Sequence, residues 1–279
     1  MRLPIPGKKR VIEKIGLLAG GGEIPIIFAR QAKKCGAAVI AFAIKDQAHE
    51  DLEGAVDAIR WVSLKELDKI PRALKEEKIR YVVMLGKINK SNIFKDEDGA
   101  NESVKKAFSY FKDKRDYAML KGAVNVLFAF GVEVLDSTTF LEDFISRKGV
   151  MTERRPTDAE LKDIKIGRSA ARALARFDIG QTVCVKDRVV LAMEGPEGTD
   201  ATIKRAGSFG KKGIAVIKMA RPRQDMRLDV PLVGKETLQA MIDSGASLLA
   251  IEKNKTMLVD KANVIKMADE AGISMIGID

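Results

Sequence analysis

The sequence predicts an α/β protein of two domains, and three observations predict it. Short apolar runs alternate with helix-period segments through the first half, the first run leads into three consecutive glycines, and 279 residues exceed a single domain of ~100–200. The reading is a parallel-sheet N-terminal domain over 1–136, opened by a basic tail over 1–14, and a mixed α/β C-terminal domain over 137–279. A substrate cleft is expected between them.

The elements follow in chain order. Ile15 to Ala19 is a short buried strand, Gly20-Gly21-Gly22 its turn, and Ile24 to Cys35 a helix with Pro25 in the first turn and Gly36 as the stop. Ala37 to Ala43 and Ile59 to Val62 are the next strands; a helix over Leu64 to Glu77 precedes a fourth, Tyr81 to Leu85, which ends in Gly86-Lys87. Asn89 to Asn101 reads as a polar loop. A helix over Tyr117 to Phe130, with Met119, Leu120, Val124, Leu127 and Phe128 on a core-facing side, leads to the strand Val132 to Leu135.

The second half opens with a capping box, Thr157 to Glu160, that starts a helix running to Phe177. A hairpin follows, Val183 to Lys186 and Arg188 to Met193, turning at Asp187. Helices are expected over Thr199 to Ala206, Lys235 to Ser244 and Asp260 to Ala271. They interleave with strands at Ile214 to Met219, Leu248 to Ile251, Met257 to Val259 and Ile273 to Ile278.

Composition narrows the function classes. No apolar run approaches the ~18 residues of a spanning helix, and the N-terminus lacks the apolar stretch of a secretory signal, so the cytoplasm is the expected compartment. Cys35 and Cys184 are too few for a ligand cluster and read as core thiols. His49 is the single histidine, which excludes a histidine metal centre, and it reads as solvated. The net charge of +10 calls for an anionic partner. With 5% aromatic residues and no basic-aromatic stacking motif, nucleic acid is not the expected one.

Carboxylates, cations and a metal are therefore the available tools. A glycine turn between strand and helix can present backbone N–H groups to a phosphate, or simply supply left-handed residues to a tight turn. Lys87, after the fourth strand, reads as a phosphate counter-charge or as a solvated loop lysine. Glu194, Glu197 and Asp200 crowd a turn before a helix that Thr199 can cap, while Asp200 can also complement the helix dipole. Arg221 to Pro231 alternates bases and acids, as a pyrophosphate site with Mg²⁺ requires, or as a salt-bridged surface strand would.

Taken together, Gly16-Leu17-Leu18-Ala19-Gly20-Gly21-Gly22-Glu23-Ile24-Pro25, Glu197-Gly198-Thr199-Asp200 and Gln224-Asp225-x-Arg227-x-Asp229-x-Pro231 resemble the LpxI family of UDP-2,3-diacylglucosamine pyrophosphatases. The resemblance spans nearly the whole chain. It implies a Rossmann-like N-terminal domain, Mg²⁺-dependent hydrolysis of a UDP-linked lipid to UMP and 2,3-diacylglucosamine 1-phosphate in lipid A synthesis, and a homodimer in transient contact with the inner-membrane surface. Carried over by position, the glycine turn, Gly20, Gly21 and Gly22 with Glu23, is similar to the nucleotide-side contact; the residues themselves add Lys87, Thr199 and Gln224 as expected substrate contacts. Asp225 falls in the family's acidic catalytic motif, with Asp200 and Arg227 as its catalytic companions. Carboxylate chemistry assigns the metal to Asp225, Asp200 and Glu197, with Glu194 or Asp229 assisting. The alternatives are a nicotinamide-dependent reductase built on the first domain and a basic nucleic-acid-binding protein.

Overall fold

In a computed structural model, the residues described are 11–88, 116–228 and 230–279; most of the basic tail, the loop expected over Asn89 to Asn101, and Asp229 lie outside them. The chain forms two compact units. The first comprises Met1–Glu142 and Met226–Asp229, the second Asp143–Asp225 and Val230–Asp279.

Among the described residues the first unit holds five strands, β1 (Lys14–Ala19), β2 (Ala38–Ile44), β3 (Ala58–Val62), β4 (Tyr81–Leu85) and β5 (Glu133–Val134). They lie in the order β3-β2-β1-β4-β5, and every pairing is parallel. A parallel sheet covered on both faces demands continuous apolar strands, and Ile15, Leu17, Val39, Ala41 and Phe42 are at most 1% exposed. Helix α1 (Ile24–Lys34) carries the crossover from β1 to β2 and buries Ile24, Phe28, Ala29 and Ala32. Because the chain leaves β1 first to β2 and later to β4 on its other side, the sheet's switch point lies between β1 and β4.

Three expectations are corrected here. The helix expected over Leu64 to Glu77 divides into a 3-10 turn, Leu64–Lys69, and α2 (Ile70–Glu76), because Pro71 has no N–H to continue the ladder and instead opens a new first turn. The strand expected over Val132 to Leu135 pairs only through Glu133 and Val134. On α3 (Asp116–Ala129) Val124 and Leu127 are buried, but Phe128 is 76% exposed, since it falls about 100° of helix rotation past Leu127.

The second unit is built on a six-stranded sheet in the order β6-β13-β11-β9-β7-β8. Its strands are β6 (Gly149–Val150), β7 (Thr182–Lys186), β8 (Val189–Met193), β9 (Ile214–Lys218), β11 (Ala246–Glu252) and β13 (Ser274–Ile278); β10 (Leu232–Val233) and β12 (Met257–Leu258) form a separate parallel pair. The middle strands β9, β11 and β13 are parallel, whereas the β7–β8 hairpin and β6 add antiparallel edges. Alternate residues serve opposite faces. Val216, Leu249 and Ile251 pack under α5 (Thr199–Gly210), α6 (Lys235–Asp243) and α7 (Lys261–Glu270). Ala215, Ile217, Leu248 and Ala250 pack under α4 (Asp158–Arg176).

The capping box at α4 forms as expected, with Thr157 and Glu160 exchanging side-chain and backbone bonds. The hairpin turns at both Asp187 and Arg188, with φ of 50° and 68°, a left-handed pair that suits a two-residue connection. Asp163 on α4 accepts both of their N–H groups, at 3.2 and 2.6 Å.

Candidate functional site

At the carboxyl ends of β1 and β4, the glycine turn and Lys87 come together, as the switch-point argument requires. The Gly20 N–H donates to Leu85 O at 2.8 Å, the Gly21 N–H to Lys87 O at 2.8 Å, and the Lys87 N–H returns to Gly21 O at 3.0 Å. Two of the expected phosphate donors, Gly20 and Gly21, are thus committed to pairing with the end of β4. Their glycine character is a packing requirement at Gly20, where an added Cβ would stand 2.5 Å from Lys87 O. Gly22 differs: φ is +92°, the residue is exposed, and a Cβ there would meet nothing within 4 Å. Among the described residues, the N–H groups of Gly22, Glu23 and Ile24 donate to no protein acceptor. The donors open to an anion therefore begin at Gly22, at the N-terminus of α1, beside exposed Lys87.

In the second unit the acids of the Glu194 to Asp200 turn diverge. Glu194, 9% exposed, accepts the Gln181 N–H at 3.0 Å and the Thr199 hydroxyl at 2.9 Å. Glu197 accepts from Arg205 at 2.6 Å, from Thr202 at 3.3 Å and from the Gly195 N–H at 3.1 Å, so both its oxygens are engaged. The Arg205 guanidinium beside it holds its carboxyl below the usual range. Asp200 sits in the first turn of α5, where its Oδ1 accepts from Thr237 at 2.8 Å. Thr199 does not cap the helix; the N-cap is Gly198, with φ of 83°. The Thr199 hydroxyl turns sideways to meet Lys218 Nζ at 2.8 Å and Thr182 Oγ1 at 3.3 Å. Lysine only donates and a carboxylate only accepts, so the chain of bonds runs from Lys218 through Thr199 to Glu194.

Asp225, half-buried, ends the segment that follows β9. The amide of Gln224 closes the turn before it: Oε1 accepts the Arg221 N–H at 3.3 Å and Nε2 donates to Asp225 O at 3.2 Å. Gln224, expected to touch substrate, thus also closes the turn before Asp225. After Asp225 the chain passes to the first unit. There the Ser137 N–H donates to Met226 O at 2.8 Å, the Ser137 hydroxyl to Arg227 O at 3.1 Å, and Leu228 enters the core at 1% exposure. Arg227 lines a groove of about 570 Å³ in that unit with Val124, Phe128, Val134, Glu133 and Asp136.

Among the described residues no three Asp, Glu, His or Cys side chains converge as a metal cage. His49 is exposed and its ring accepts the Asp51 N–H at 3.2 Å. Of the two cysteines expected in the core, Cys184 is buried, which pushes its thiol up to about 12, while Cys35 is only half-buried.

The LpxI N-terminal domain model matches residues 14–144 and the LpxI C-terminal domain model matches residues 147–276. The chain belongs to the LpxI family. A Caulobacter vibrioides relative named UDP-2,3-diacylglucosamine pyrophosphatase LpxI is 27% identical over 279 residues, covering 96% of this chain and 98% of the relative. Solved structures match only loosely. Rhizobium etli pyruvate carboxylase T882A with acetyl coenzyme-A gives a TM-score of 0.30 at 14% identity, over 62% of this chain and 15% of that one. The biotin carboxylase domain of Hydrogenobacter thermophilus 2-oxoglutarate carboxylase gives 0.29 at 12%, over 84% and 41%.

Sequence reasoning did not single out Lys218 or Glu252, which end β9 and β11 at 6% exposure. The available signal was a charge closing an otherwise apolar run, Ile214-Ala215-Val216-Ile217-Lys218 and Leu248-Leu249-Ala250-Ile251-Glu252. At a strand's carboxyl end such a residue faces the side where ligands bind in these sheets.

Proposed function

We propose that the protein hydrolyses the pyrophosphate of UDP-2,3-diacylglucosamine to UMP and 2,3-diacylglucosamine 1-phosphate, a step of lipid A biosynthesis. The observation that carries this reading is the family match over both halves of the chain, joined by a relative of that activity aligned over nearly its full length. In this reading a water oxygen bonds the β-phosphorus while the bond to the bridging oxygen breaks, and that oxygen leaves with UMP. Gly22, Glu23 and Lys87 bind the nucleotide side, and Asp225 is the catalytic carboxylate.

A metal fits the donor set in one form only. With Glu197 committed to Arg205 and no three-acid cage among the described residues, the residues suit an ion such as Mg²⁺, which takes one or two carboxylates and completes its shell with substrate oxygens and water. Asp225 and Asp200 would hold it. Bound there, Mg²⁺ would neutralise charge gathering on the phosphate oxygens. Thr237 keeps Asp200 oriented through one oxygen.

The test is UMP release from UDP-2,3-diacylglucosamine by the purified protein, with Mg²⁺ or with EDTA. Asp225→Ala is expected to abolish release while the thermal melt stays that of the parent. Full activity in this variant removes Asp225 from the site, and EDTA-insensitive release removes the metal. We further propose a homodimer, measurable by sedimentation, that works at the cytoplasmic face of the inner membrane.

A further inference from the structure

Asp178 follows the C-cap of α4, its φ is +57°, and its N–H donates to Ala175 O at 3.3 Å. Two local preferences oppose an aspartate there. Left-handed backbone after a helix is best served by Gly or Asn, and a negative charge at a helix C-terminus opposes the macrodipole. Neither the cap nor the backbone accounts for the acid. What accounts for it is Arg221, whose Nε donates to Asp178 Oδ1 at 2.7 Å, with the two side chains only 17% and 15% exposed.

Arg221 opens the turn that ends at Asp225. The residue before it is gripped as well: the Ala220 N–H donates to Glu252 Oε2 at 3.0 Å, and Glu252 Oε1 accepts from Lys255 at 2.8 Å. Within the turn, the Gln224 N–H donates to Arg221 O at 3.0 Å, alongside the two bonds of the Gln224 amide. The turn is therefore closed on itself through Arg221 and fastened to the second unit at two adjacent residues. One fastening is a backbone N–H, that of Ala220, held by the carboxylate of a strand-end residue, Glu252. The other is a side-chain ion pair from a helix end, where an acid has no local reason to be.

We propose that Asp178 is a positioning residue for Asp225, acting through Arg221 and the turn 221–225. This rests on the reading of Asp225 as the catalytic carboxylate. Misplacing a reacting group by about 1 Å is enough to cost on the order of a hundred-fold in rate, so a brace of this kind has a kinetic signature without touching substrate.

The experiment compares the full chain with Asp178→Asn, Arg221→Gln and the double variant. Asparagine keeps the size, tolerates the left-handed backbone and removes the charge that opposes the dipole. Asp178→Asn is expected to remain folded at the assay temperature, lose about ten- to a hundred-fold in kcat with KM nearly unchanged, and exchange the backbone N–H groups of 220, 221 and 223–225 faster with deuterated solvent. Arg221→Gln should lose a similar amount, and the double variant no more than the worse single one. A parental kcat in Asp178→Asn, or a loss that only follows the folded fraction, overturns the proposal. If the parent itself releases no UMP, the functional reading fails, and the exchange measurement still decides the brace: unchanged exchange at 220–225 overturns it, faster exchange sustains it.

Discussion

Gly20→Ala and Gly22→Ala should separate the two roles inside one turn. At Gly20 the new methyl would stand 2.5 Å from Lys87 O, a backbone atom held in place by the paired ends of β1 and β4, so the turn must open. A loss of about 2–4 kcal/mol is expected, a backbone clash in a packed site. At Gly22 the space is open and the expected loss is about 1–2 kcal/mol, the strain of a left-handed alanine. If nucleotide binds at the outward donors, Gly22→Ala should weaken UMP binding in calorimetry more than its effect on urea denaturation accounts for. Equal effects in both variants would return the whole turn to a purely structural role.

At the scale of elements, the start of α4 carries a titratable brace. Glu160 is the third residue of that helix; it closes the capping box, takes both outer nitrogens of Arg154 at 3.1 and 2.7 Å, and accepts from Ser247 at 2.6 Å. Burial pushes its carboxyl up, but the bonds from Arg154, Ser247 and the Thr157 N–H outweigh it, and its pKa is lowered overall. A depressed folded-state value means that the stabilisation is present above the unfolded glutamate range of about 4.3 and is lost as pH falls through the folded value. Glu160→Gln is therefore expected to lose about 1–3 kcal/mol at pH 7. In urea denaturation the gap to the parent should narrow below about pH 4. A gap that stays constant with pH would mean that the neutral hydrogen bonds, not the charge, do the bracing. The capping box itself was legible because Thr157 and Glu160 stand three residues apart. Arg154 lies six residues from Glu160 and Ser247 lies 87, beyond any helix-start pattern.

For the whole molecule, net charge is the property that acts at long range. A chain of net +10 whose proposed substrate is a membrane lipid should sediment with vesicles containing phosphatidylglycerol at about 0.05 M salt and release them near 0.5 M, where screening shortens the reach of each charge to a few ångströms. Zwitterionic vesicles should not bind it. Binding that ignores salt would place the contact on apolar groups such as exposed Phe128. No helix among the described residues is long and apolar enough to cross a membrane.

The sequence by itself determined the alternation of strand and helix, the parallel sheet, the capping box of α4 and the membership of the LpxI family, because these rest on periodicities and motifs read within a few residues of one another. The destinations of the polar side chains were decided only by the tertiary structure. Gly20 and Gly21 turn their N–H groups to β4, Glu197 turns to Arg205, Thr199 leaves the helix cap for Lys218, and the segment after Asp225 seats Leu228 in the first unit's core. The physical reason is that folding, not local spacing, chooses the partner. Donors and acceptors pair with groups brought near them and apolar Leu228 leaves water, and the partners lie from 8 to about 190 positions away along the chain, where no local pattern reaches.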